Sequence, residues 1–156
     1  MAGLGTARRP AMKFLVQIPF VEMLGFELLR FDKGEAEIAV QLRDELCNSW
    51  SVAHGGVTMT LLDVAMAHAA RSPGEDGATE QSGVVTIEMK TSFMRPGLGR
   101  LVATGRRLHR TASMAFCDAS VVDAEQLLVA HATGTFKFLK GLPAGGKRIQ
   151  RIGASD

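Results

Sequence analysis

Apolar and polar positions along the 156-residue chain follow two periods. From Glu35 to Leu42, Ala36, Ile38, Val40 and Leu42 alternate with Glu35, Glu37, Ala39 and Gln41. That two-residue period belongs to a strand with one buried face. Phe26 to Arg30 reads as its hairpin partner, with Asp32-Lys33-Gly34 as the turn. Residues 57–70 do not alternate. They are rich in Leu, Met and Ala, with no Gly or Pro, and they predict a helix. The helix is apolar nearly all round, so it is buried on most sides. It is shorter than the roughly 20 residues that a bilayer requires.

Beyond this helix, Pro73 to Ser82 reads as a loop. Four strand-like runs follow: Gly83 to Met94, Arg100 to His109, Ala112 to Val122 and Leu127 to Leu139. Short turns at Arg95-Pro96-Gly97 and Asp123-Ala124-Glu125 predict that successive runs pair as an antiparallel meander. Upstream, Met12 to Gln17 predicts a short helix that Pro19 ends, and Phe20 to Leu24 a second helical turn. Residues 1–13 read as a flexible leader and 140–156 as a loose basic tail, which leaves 14–139 as one domain. The order is two strands, one long helix and four strands. It predicts an α+β fold, an antiparallel sheet of about six strands wrapped around one central helix. One helix covers only part of such a sheet, so an edge or the far face is expected to meet a second subunit.

Asp63 breaks the pattern. Leu61, Leu62, Val64, Ala65, Met66 and Ala67 around it are all apolar. Burying a lone carboxylate is costly, and such acids concentrate at functional sites. Helix geometry sets Asp63 near Met59, Thr60, Met66 and Ala67, with Thr60 the polar neighbour. The alternative is a structural carboxylate bonded to a loop or a second chain. The helix begins at His54-Gly55-Gly56. Glycines admit a close approach to the backbone, and the first N–H groups of a helix lack partners within it. With the positive end of the helix dipole, they suit a carbonyl oxygen that becomes negative during reaction.

Composition narrows the function classes. The chain is 46% hydrophobic and 22% charged, with a net charge of +2, as for an ordinary globular domain. The basic residues cluster at the ends: Arg8, Arg9 and Lys13 in the leader, and Lys140, Lys147, Arg148 and Arg151 in the tail. The body between them is acidic, which argues against nucleic-acid binding. Cys47 and Cys117 form no CxxC pattern and read as free thiols of a reducing compartment. No apolar signal segment precedes Pro10, so a cytoplasmic location is expected, with no membrane partner. His54, His68, His109 and His131 show no tight ligand spacing, so no metal or other cofactor is expected. His68 and His131 read as structural.

The residues Asn48, His54-Gly55-Gly56 and Asp63, with Val85-Thr86-Ile87-Glu88-Met89 and Phe93-Met94-Arg95-Pro96, resemble the hotdog-fold acyl-CoA thioesterases. The likeness is to the single-domain phenylacetate-pathway and human thioesterase superfamily member type, over about residues 20–139. It implies that Asp63 is the catalytic carboxylate, acting as general base or nucleophile. It implies that Gly55 N–H, with Gly56, polarises the thioester carbonyl. Asn48 and His54 would position water and thioester, and Thr86 would assist as a strand hydroxyl. It also implies a homodimer or homotetramer (a dimer of dimers), with each site shared between the helix N-terminus of one subunit and Asp63 of its partner.

The residue types agree with that chemistry. Thioester hydrolysis needs an activated water or nucleophile, an oxyanion donor and an apolar pocket. Met59, Met66 and Leu62 are the candidate lining. CoA also carries phosphates, and residues 95–110 contain Arg95, Arg100, Arg106, Arg107 and Arg110 with no acid. Arg110 is the preferred phosphate contact and Arg95 the second, against the alternative that these arginines simply solvate a strand edge. Two other functions compete. A hotdog hydratase or dehydratase would need a His and an acid paired for elimination. A non-catalytic acyl-CoA-binding module would have no need of Asp63 beside the glycine pair.

Overall fold

The computed structural model describes residues 8–77 and 82–140. The predicted leader before residue 8, part of the loop after the helix and the tail beyond residue 140 lie outside the described residues. The elements are α1 (Pro19–Leu24), β1 (Glu27–Asp32), β2 (Glu35–Gln41), α2 (Gly55–Arg71), β3 (Gly83–Phe93), β4 (Arg100–Arg110), β5 (Met114–Val122) and β6 (Leu128–Leu139). The strands form one antiparallel six-stranded sheet in the order β1-β2-β4-β5-β6-β3. α2 packs on one face of it, giving the expected α+β fold.

Small residues bring the helix close. A row runs across the sheet through Ala36, Gly105, Ala119 and Ala132, each directly opposite the next. The three alanines are at most 1% exposed. A Cβ on Gly105 would lie 2.4 Å from the Ala65 carbonyl oxygen in α2. The helix backbone therefore rests on the strand backbone here. Leu61, Leu62, Ala65, Met66 and Ala69 fill the interface around this contact and are fully buried. At this density, one added methyl group must displace backbone.

α2 has a cap at each end. His54 is the N-cap, in extended backbone, and its side chain accepts from Gly56 N–H. At the C-terminus, Ser72 Oγ–H donates to Ala69 O over 3.2 Å. Arg107 reaches from β4 to donate to Ala70 O and Ser72 O, each over 3.0 Å. A guanidinium there satisfies orphan carbonyls and opposes the negative end of the dipole. Pro73 then stops the helix.

His68 is the buried histidine of this helix, 6% exposed. Its Nδ1 lies 2.8 Å from Val64 O, and its ring meets Phe14 and Phe31 edge-on. Burial holds it down at about 4, so the ring is neutral and donates to Val64 O. That is the structural role expected of it.

Two sequence expectations fail. Met12 to Gln17 is not helical: Met12 N–H donates to Leu28 O over 2.7 Å and extends the sheet edge at β1. The backbone of this segment finds its partner across the sheet, and the residue before Pro19 is kept out of the helical region by the proline ring. The meander also breaks once. β4, β5 and β6 pair in sequence, but β3 does not pair with β4. It pairs with β6 at the far edge, and β4 lies between β2 and β5. The β3–β4 connection is docked instead of turning tightly: Gly97 O accepts from Ala53 N–H and Gly99 O from Leu42 N–H. Those bonds deliver β4 to the end of β2.

Replacing Gly105 by Ala is expected to lower stability by about 3 kcal/mol or more, because the clash is with backbone. Urea unfolding monitored by circular dichroism measures this as a fall in midpoint, and an unchanged midpoint would contradict the close approach.

Candidate active site

The first turn of α2 has four N–H groups without helical partners. They belong to His54, Gly55, Gly56 and Val57, since Thr58 N–H makes the first regular helical bond, to His54 O. Three are satisfied locally: His54 N–H donates to Leu46 O and Val57 N–H to His54 O, each at 2.9 Å, and Gly56 N–H donates to His54 Nδ1 at 2.9 Å. Among the described residues, Gly55 N–H finds no acceptor. The helix therefore leaves one donor open, at a residue with no Cβ. Gly56, the second expected carbonyl donor, has its N–H taken up by the cap. Because His54 Nδ1 accepts, the proton of the neutral ring sits on Nε2, and His54 is exposed.

Asp63 lies two turns further along and is half-buried. Thr60 is not its partner: that hydroxyl donates to Gly56 O over 2.8 Å. Thr86 Oγ1–H donates to Asp63 Oδ1 over 2.7 Å. Thr86 stands on β3 beside a bulge, where the register with β6 shifts between Thr86 and Glu88. Such a bulge re-aims the side chains next to it. Burial pushes the Asp63 carboxyl above the ordinary carboxylate range, and the Thr86 hydroxyl draws it part of the way back. A raised carboxyl is a better proton acceptor when ionised.

Gly55 and Asp63 are eight residues apart, about 12 Å along the helix axis. The structure thus brings Asp63 and Thr86 together, and it separates that pair from the open donor in the same chain. Asn48 acts elsewhere, in the loop that leads into His54. Its Oδ1 accepts from Trp50 N–H at 2.9 Å and from Val52 N–H at 3.4 Å and so fixes that loop. Met59 is partly exposed on the helix, whereas Met66 is 0% exposed and enclosed in the core, as is Leu62. Arg95 donates to Leu128 O over 2.9 Å, and the Arg110 guanidinium lies 4.4 Å from the centre of the Phe138 ring.

Among the described residues, no three His, Cys, Asp or Glu side chains gather as a metal site. Cys47 and Cys117 are free, and burial pushes the Cys117 thiol up to about 12. No helix among these residues is long and apolar enough to cross a membrane.

One contact was not legible in the linear spacing. The Phe93 ring, at the end of β3, lies against Gly55, with Cε1 and Cζ each 3.7 Å from where a Gly55 Cβ would stand. Phe93 lies within a motif shared with the resembling family, but nothing in the chain order pairs it with the helix N-terminus.

A sheet wrapped on a single long helix, with a half-buried acid mid-helix and an open donor at its start, is the hotdog arrangement. The chain belongs to the Thioesterase superfamily, whose family model matches residues 51–130. It is similar to the medium/long-chain acyl-CoA thioesterase YigI of Escherichia coli, 31% identical over 135 residues, spanning 79% of this chain and 87% of that one. It is also similar to the acyl-coenzyme A thioesterase PaaI of Escherichia coli, 27% identical over 124 residues, with 78% and 84% covered. The solved structure of the E. coli PaaI protein from the phenylacetic acid degradation operon superposes with a TM-score of 0.71. It covers 79% of this chain and 86% of its own, at 24% identity, and so agrees in fold.

Thr86→Val removes the hydrogen bond that favours the ionised Asp63. The Asp63 carboxyl is then expected to hold its proton to higher pH, and the acid limb of kcat/KM for thioester hydrolysis to move to higher pH. A pH–rate profile of the two proteins checks this, and coincident acid limbs would refute the coupling.

Proposed function

We propose that this protein is an acyl-CoA thioesterase that hydrolyses an aryl or medium-chain acyl-CoA to the free acid and CoA. The observation that carries this reading is the half-buried Asp63, held by Thr86 on the same helix that opens with the unpaired Gly55 N–H. YigI and PaaI, both acyl-CoA thioesterases by name, support the substrate class.

Asp63 activates the attack on the thioester carbonyl carbon, either by taking a proton from water or by adding directly as nucleophile. As general base, Asp63 passes the water proton to the sulfur as the C–S bond breaks, so CoA leaves as the thiol and the acid is formed directly. As nucleophile, its oxygen bonds to the acyl carbon as the C–S bond breaks, giving a mixed anhydride and a CoA thiolate that takes a proton from solvent, and water then hydrolyses the anhydride to the free acid and Asp63. Thr86 holds Oδ1, so Oδ2 is the oxygen that meets water or substrate. Gly55 N–H receives the carbonyl oxygen as it becomes negative, at the positive end of α2. His54 binds Gly56 N–H through Nδ1, which leaves its Nε2–H as the donor at the mouth of the site.

The distance of about 12 Å between Gly55 and Asp63 is too long for both to act on one carbonyl. Two copies resolve this. β3 is an edge strand of eleven residues, largely exposed and ready to pair. Within one chain, Thr86 lies near its start and Phe93, against Gly55, at its end. Antiparallel pairing of two β3 edges sets the Gly55 end of one copy beside the Asp63 end of the other. A homodimer, or a tetramer of two such dimers, then carries two composite sites related by a two-fold axis.

Two variants test the reading together. Asp63→Ala is expected to lose about 10²–10⁴ in turnover with the fold intact. Gly55→Pro deletes the open N–H at N1, where proline is well tolerated, and is expected to lose about 10²–10³. Each is assayed by release of free thiol from a panel of acyl-CoAs. Unfolded and remixed in equal amounts, the two inactive variants should recover about a quarter of wild-type turnover, since half the dimers are mixed and each regains one of its two sites. No recovery would place both groups of a site in one chain. Full activity of Asp63→Ala would remove the catalytic assignment.

A further inference from the structure

We infer that Phe93 determines acyl specificity: its ring is the wall along which the first carbons of the acyl chain lie when Gly55 N–H holds the carbonyl oxygen. The inference rests on the thioesterase reading above and adds to it the group that receives the acyl side of the thioester.

Phe93 closes β3 opposite Ala130 on β6. Ala130 is fully buried against the helix. Directly opposed residues project from the same face of an antiparallel pair, so Phe93 starts on the helix face too. Its ring reaches the helix N-terminus, with Cε1 and Cζ each 3.7 Å from the place that a Gly55 Cβ would occupy. The ring thus stands beside the residue of α2 whose N–H is open.

That position does not bury it. Phe93 remains 54% exposed, unlike Phe136, which is 0% exposed in the core. Met59, one turn beyond Gly55 on the same side of α2, is 38% exposed. Two partly exposed apolar side chains therefore flank the open donor. Hydrocarbon laid there covers the ring, and it removes water from the hydrogen bond between Gly55 and the carbonyl oxygen, which strengthens that bond. In the paired arrangement of β3 edges, the exposed side of the ring lies between Gly55 of one copy and the Asp63 end of the other.

The short acyl group of acetyl-CoA barely reaches beyond the carbonyl, whereas octanoyl-CoA runs along the ring. Removing the wall should therefore penalise long acyl groups selectively. The test compares wild type, Phe93→Ala and Phe93→Leu on acetyl-, butyryl- and octanoyl-CoA, with kcat and KM measured separately and melting temperature alongside. Phe93→Ala is expected to lose about tenfold or more in kcat/KM on octanoyl-CoA but less than about twofold on acetyl-CoA. Phe93→Leu, which keeps an apolar wall, is expected to restore most of the octanoyl rate. Equal loss on all three substrates, or none on any, would overturn the inference while leaving the thioesterase reading in place. Wild-type protein that cleaves none of the three, and no phenylacetyl-CoA either, would overturn both.

Discussion

The molecule depends on one contact, the backbone of α2 resting on the backbone of the sheet at Ala65 and Gly105. That approach is possible because the row Ala36, Gly105, Ala119 and Ala132 presents almost no side chain. It sets the height of the helix above the sheet, and so decides what the helix can reach on either side. Over the central strands the helix is sealed by Leu61, Leu62, Ala65 and Met66. At the β3 edge the seal ends, and there Asp63 is half-buried and within 2.7 Å of Thr86. A helix held further out would leave the carboxylate solvated at its ordinary affinity for protons. Its raised affinity follows from this intermediate position.

The ends of the helix divide structure from chemistry. At the C-terminus the carbonyls are closed off by Ser72 and by Arg107, a residue of the central strand β4. At the N-terminus, His54 provides its carbonyl to Val57 N–H and its ring nitrogen to Gly56 N–H, and its own N–H goes to Leu46 O, so three of the four unpaired N–H groups are met. A fully capped terminus would be inert and an uncapped one would fray. His54 leaves the helix rigid with one directed donor, at a glycine over which a substrate can lie. Asn48 supports this arrangement from a distance, by fixing the loop that delivers His54.

The strand and helix periods made most of this fold legible, since burial here follows local alternation. The central helix and the hairpin of β1 and β2 both follow from side-chain patterns between Glu27 and Ala70. The place of β3 in the sheet was not legible. Strand order is set by where a connection docks, and the bonds from Ala53 and Leu42 to Gly97 and Gly99 are invisible to periodicity. The Met12 segment misled for a related reason, because its helix-forming residues lie against an open strand edge that offers hydrogen bonds at once. Asp63 stood out in the sequence as an isolated charge on an apolar helix. Its partner Thr86 came from family resemblance, since helix spacing pointed to Thr60 instead. Met66 shows the limit of composition: a methionine on the same helix as Asp63 lines a pocket or fills a core according to its angle about the axis, and here it fills the core.

The separation of Gly55 from Asp63 gives the edge strand its importance. A chain that kept both groups on one carbonyl would need the helix to break or the acid to move to another element. This chain keeps a straight helix for packing and leaves β3 unpaired on its outer side. An unprotected edge of eleven residues is a liability for an isolated molecule. In the proposed dimer, pairing two such edges would remove that liability, and in the same step it would join the donor end of one helix to the acid of the other. Stability and chemistry would then favour the same association, and Phe93, at the end of β3 beside Gly55, would stand where the two requirements meet.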